Sequence, residues 1–172
     1  ADSRTLGASK INAQNVQAVL STAEGGLFRI ADVLARLNEV LATARSGILD
    51  TASFSAVDKE YQALVSEVTA IATNTKFNGV SLLDGAGAAG SFTNATGANV
   101  LLGSATADTL VISITGTAAG ANATATGLAL AATAVTTAAI AATNQGLVQT
   151  AIGTVAGLVA SVGALQSRVG YR

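Results

Sequence analysis

The sequence predicts a mainly α protein: an elongated antiparallel bundle of long helices with short β-hairpins at one end. Three observations carry this. Apolar residues recur at alternating spacings of three and four along three stretches, the period that aligns them on one stripe of a helix. No proline occurs in the 172 residues, so the residue most able to kink a long helix is missing. Half of the chain is hydrophobic but only 3% is aromatic, so the apolar mass consists of Ala, Leu, Val and Ile, which suit closely packed helices. At this length one domain, 1–172, is expected.

The first helix is expected over 3–46. Leu6, Ser9, Ala13, Val16, Leu20, Ala23, Leu27, Ile30, Leu34, Leu37, Leu41 and Ala44 form its seam. At 1.5 Å per residue such a helix reaches about 60 Å, so the shape implied is a rod. Gly25 and Gly26 interrupt the pattern, and close packing against a partner helix would account for them. Arg45 favours the negative end of the helix, and Gly47 can take the left-handed conformation that terminates it.

A second helix is expected over 54–74, with Phe54, Val57, Tyr61, Leu64, Val68 and Ile71 as its seam and Ser55 with Asp58 as a capping box. A β-hairpin region, 75–115, follows. It opens on Asn78-Gly79, a strong tight-turn signal, and continues with the apolar runs at 100–102 and 109–114. Residues 115–127 are low in complexity and read as a linker or exposed turn. A returning helix over 128–170 carries Val148, Ala151, Val155, Leu158, Val162, Leu165 and Val169 at the same alternation.

The composition points away from catalysis. With no Cys and no His, thiol chemistry, soft-metal sites and the usual general base are all missing, so no enzyme, cofactor or metal is expected. Nine basic and ten acidic residues give a net charge of −1, which offers no field to draw nucleic acid or an anionic membrane. The start, Ala1-Asp2-Ser3-Arg4, lacks the basic and apolar regions of a signal peptide, and none is expected. Gly85 to Gly90 spells G-x-G-x-x-G, but Ser91-Phe92-Thr93-Asn94 after it is not a helix start that could hold a pyrophosphate. The uncharged stretch 146–165 has the length of a membrane span, whereas Gln149, Thr150, Thr154, Ser161 and the shared seam favour a bundle helix.

Several motifs resemble the bacterial flagellin family. Thr22-Ala23-Glu24-Gly25-Gly26-Leu27 looks like that family's T-A-E-G-A-L turn, at the right distance from Thr75-x-Phe77-Asn78-Gly79-Val80-x-Leu82-Leu83. Leu158 through Gly163-Ala164-Leu165-Gln166-Ser167-Arg168 resembles its L-G-A-x-Q-N-R segment. The resemblance implies the core rod portion of a flagellar filament subunit without the terminal inner-tube segments. It also implies a secreted, extracellular structural protein that self-assembles with identical copies for motility, while this portion alone is monomeric. Partners implied in the same way are the flagellar export apparatus and its chaperone. The family's contact with a Toll-like innate receptor maps onto Leu34 to Leu41 and a downstream acid, giving Arg36, Glu39, Val40 and Glu60 as the possible patch. Alternatives are the hook–filament junction subunit and, from a different class, a secretion-system translocator or pore protein.

Overall fold

The computed structural model describes residues 2–85, 98–101, 109–112, 123–130 and 133–171. Three long helices dominate: α1, Asp2–Arg45, α2, Thr51–Asn74, and α3, Ala138–Gly170. Two small antiparallel sheets lie between α2 and α3 in the chain. Strands β1, Lys76–Phe77, and β2, Val80–Ser81, form one; β3, Ala98–Leu101, and β4, Thr109–Ile112, form the other.

The 44 residues of α1 span about 66 Å, and the helix is the shared spine of the bundle. Both α2 and α3 pack along it, far more than on each other. Arg36 meets Glu60 of α2, and Gly26 lies against Thr75 just past the end of α2. Arg45 meets Gln145 of α3, and Glu24 meets Gln166. Each companion therefore runs antiparallel to α1, over the same stretch of it.

A spine with two companions must bury more than a single stripe, and α1 does. The expected seam is buried from Val16 through Leu20, Ala23, Leu27, Ile30, Leu34, Leu37 and Leu41 to Ala44. One position before every second seam residue runs another line, Val19, Gly26, Val33 and Val40, which is buried or half-buried. Gly26 on this line makes room for a neighbour: a Cβ there would lie 2.5 Å from Thr75 Oγ1 and 2.8 Å from Leu83 Cδ1.

The α2 boundary and seam differ from expectation. The helix begins at Thr51, three residues early, because Asp50 caps it by accepting the Ser53 N–H at 2.8 Å. The proposed Ser55–Asp58 box does not form; Asp58 instead accepts the Val135 N–H at 2.8 Å, tying the approach to α3 onto α2. The buried residues are Tyr61, Val65, Val68 and Ala72, with Leu64 and Ile71 half-buried on the flank. Where two apolar residues stand side by side, spacing alone does not select the inner one.

Between β1 and β2 the two loop residues have φ of 49° at Asn78 and 80° at Gly79, the left-handed pair of a type I′ turn that matches strand twist. The register is Phe77 opposite Val80 and Lys76 opposite Ser81. In the second hairpin Ala98 faces Ile112 and Leu101 faces Thr109. The G-x-G-x-x-G stretch beyond Gly85, Leu102, Ser113, Ile114 and the first part of the expected linker lie outside the described residues.

The remainder of that linker is not an exposed turn. Ala123 and Ala125 within it are buried, as are Leu128 and Leu130 just after it, held by Ala123 N–H to Leu83 O at 2.8 Å and Ala125 N–H to Thr69 Oγ1 at 3.1 Å. The returning helix starts at Ala138, not 128. Ala129 adopts φ 54°, which no α-helix accommodates, and Thr137 caps the helix by accepting the Ile140 N–H at 3.2 Å. Its seam, Ala141, Val148, Ala151, Val155, Leu158, Val162 and Val169, is buried; Leu165 is half-buried against the core. By length and mean hydropathy of 1.6, α3 could cross a membrane, but that seam is occupied by α1.

Candidate recognition face on the first two helices

Arg36 leaves α1 on the side opposite the α3 seam, one residue before buried Leu37, and reaches across to α2. Its Nε and Nη2 donate to Glu60 Oε1 at 3.0 and 2.7 Å, and its Nη1 donates to Glu39 Oε2 at 3.1 Å. The three side chains are 55%, 44% and 69% exposed for Arg36, Glu60 and Glu39. Hydrogen bonds to Glu60 first and Glu39 second hold the guanidinium above its ordinary value, so Arg36 is a permanent cation between two acids. The group carries one positive and two negative charges. Such exposed pairs orient side chains more than they stabilise a fold.

Three of the four residues assigned to the patch are thus brought together. Val40 is not among them: it is 5% exposed, on the second buried line of α1, and cannot meet a partner without unpacking the bundle. Of the intervening residues, Asn38 turns to the α3 side and accepts a bond from Gln145 Nε2 at 3.0 Å, while Ala35 remains exposed. The same outward face of α1 carries Phe28, 52% exposed, which the motif comparison does not pick out. Its off-seam position between Leu27 and Ile30 is the signal that it points outward.

Nearby, an open groove of about 800 Å³ runs between α1 and α2, lined by Ser21, Gly25, Arg29, Glu67, Asn74 and Lys76 among others. Among the described residues no group of three His, Cys, Asp or Glu could hold a metal ion. In the core, burial and, second, the charge of Asp58 push the Tyr61 phenol up to about 12, so it is neutral at all physiological pH values.

Comparison with known proteins adds sequence and fold. Residues 1–88 match the family model described as the bacterial flagellin N-terminal helical region. Flagellin FljO of Caulobacter vibrioides is 36% identical over 85 residues, covering 49% of this chain and 31% of that protein. The flagellar filament 31.3 kDa core protein of Treponema maltophilum is 33% identical over 101 residues, covering 59% of this chain and 34% of that protein. The chain spans about a third of the length of such curated relatives. The crystal structure of Bacillus cereus flagellin superposes with a TM-score of 0.73 at 24% identity, covering 92% of this chain and 84% of that one, a likeness of fold.

Proposed function

The chain belongs to the bacterial flagellin family, and from that premise we propose that it is the rod-forming part of a flagellar filament subunit, exported from the cell and packed with identical copies into a helical tube for motility. The observation that carries this reading is the spine itself. An uninterrupted α1 is clasped by two antiparallel companions along seams of Val, Leu, Ile and Ala. Bending such a rod would lift several apolar side chains out of their holes together, each at a cost of about 1 kcal/mol or more. Stiffness of that kind suits a propeller that transmits torque, and packing one face of a copy on a different face of the next gives an open helix rather than a ring. Passage through an export apparatus with a chaperone belongs to the same reading.

Antibodies raised against residues 2–171 test it by immunogold electron microscopy of the organism that makes the protein. Label along the whole length of the filament is expected. Label confined to the base of the filament would favour the hook–filament junction subunit, and label on the cell envelope a translocator. Either refutes the proposal.

A narrower reading concerns recognition. Arg36, Glu39 and Glu60 form an exposed patch that a Toll-like innate receptor could contact, without Val40. Because Arg36 is already bonded to both acids, a receptor must compete with them for its donors. Binding of this chain to the receptor ectodomain should fall with Arg36→Ala, and unchanged binding would remove the patch from the reading.

A further inference from the structure

The aliphatic seam between α1 and α3 does not by itself fix how far one helix is drawn along the other. Sliding α3 by one heptad again sets Val, Ala and Leu into holes lined by Leu, Ile and Ala, because both stripes repeat every seven residues. The flanking positions differ. One heptad line of α1 reads Glu24, Ala31, Asn38, Arg45, and the line of α3 that faces it reads Gln145, Ile152, Val159, Gln166. Each is polar at its two ends. Between them Ala31, Ile152 and Val159 are half-buried against the core.

The polar ends meet. Gln145, 6% exposed, accepts from Arg45 Nη1 at 2.6 Å and donates through Nε2 to Asn38 Oδ1 at 3.0 Å. Three heptads away in both helices, Gln166 Nε2 donates to Glu24 Oε2 at 3.0 Å. A slide of one heptad in one direction carries Gln166 to Ala31 and draws Gln145 past the end of α1. In the other direction Val159 comes against Glu24 and Gln166 against Gln17, and Gln145 keeps Asn38 but loses Arg45. Both slides keep the aliphatic contacts, break the bond between Glu24 and Gln166, and take from Gln145 one of its two α1 partners. Two further bonds around the start of α3, Val135 N–H to Asp58 and Asn144 Nδ2 to Thr133 O, do not touch α1.

We infer that Gln145 and Gln166 set the register of α3 on α1, as a single buried polar residue does in other helix pairs at some cost in stability. The chain has no cysteine, so spin labels on Ala42→Cys and Ala164→Cys, both exposed and far apart along the rod, report register through their separation by pulsed electron paramagnetic resonance. The native pair of glutamines should give one narrow distance. Gln145→Leu with Gln166→Leu should keep the helical circular dichroism and add a second population displaced by about 10 Å, the rise of seven helical residues. Each single replacement keeps the polar contacts of the other glutamine and should remain in the native distribution. A single unshifted distance in the double variant overturns the inference. Loss of helix in that variant would overturn it too, since two added leucines extend the seam and Arg45, Asn38 and Glu24 can turn to water.

Discussion

Adjacent glycines in α1 separate the effect of helix propensity from that of packing. Replacing Gly25 by Ala places the new methyl in open space, with nothing within 4 Å. The expected result is stabilisation by about 1 kcal/mol, the difference between Gly and Ala inside a helix. Gly26→Ala gains the same term, but its Cβ would stand 2.5 Å from Thr75 Oγ1, 2.7 Å from Thr75 Cγ2 and 2.8 Å from Leu83 Cδ1. Leu83 has a flexible tip. Thr75 does not yield easily: it is buried, its hydroxyl donates to Ile71 O at 2.7 Å, and its carbonyl accepts the Leu82 N–H at 2.9 Å. Overpacking of this kind costs about 1–3 kcal/mol, so after the helix gain Gly26→Ala should be destabilised by about 0–2 kcal/mol. The two variants should differ by about 1–3 kcal/mol in urea unfolding followed by circular dichroism, with unchanged slopes. If Gly26→Ala is stabilised as much as Gly25→Ala, the close approach of the hairpin to α1 described above is wrong.

Other expectations follow from the same structure. Leu34→Ala opens a cavity at a fully buried seam position and should cost about 2–5 kcal/mol by chemical denaturation. Thr137→Ala removes the cap of α3 and should cost about 1 kcal/mol; a variant as stable as the parent would mean that the start of α3 is fixed elsewhere. Gly79→Ala places a side chain at φ 80° and should lose about 1 kcal/mol or more, with local loss of hydrogen-exchange protection in β1 and β2. For Tyr61 the folded value of about 12 lies above the ordinary phenol value of 10.0. Its contribution to stability is therefore fully present below pH 10 and is lost as the pH rises through about 12. Tyr61→Phe should flatten that alkaline decline in thermal melts, and an unchanged decline would assign it to other groups.

How far the chain could be read without its structure depends on how unambiguous each stripe is. On α1 and α3 the 3–4 alternation runs over many repeats, and the residues it selects are the buried ones, Leu27, Ile30 and Leu34 or Val148, Ala151 and Val155, even where an apolar neighbour such as Val33 or Ile152 stands beside the seam. On α2, Leu64 stands beside Val65 and Ile71 beside Ala72, so period alone does not choose between them. The start of α3 is obscured for a different reason. The run 128–137 is rich in Ala and has helical propensity, yet tertiary burial of Leu128 and Leu130 and the left-handed Ala129 override it. For the proposed patch, motif spacing picks out Arg36, Glu39 and Glu60, which lie together at the surface, and Val40, which is buried. A motif records neighbours along the chain, while burial of Val40 arises because α1 has a second companion. The glutamine contacts escape a reading of seams altogether, since they lie beside the stripe and pair residues 100 and 142 positions apart.

That separation bears on when the protein can fold. At roughly 5–20 residues added per second, the ribosome finishes α1 on the order of 10 s before it delivers the helix that covers its main stripe. During that interval the nascent chain has no native mate for its greasiest surface, and distant partners make closure slow even after synthesis ends. A polypeptide arranged in this way is late to become compact and stays an open strand well after its first helix has been made.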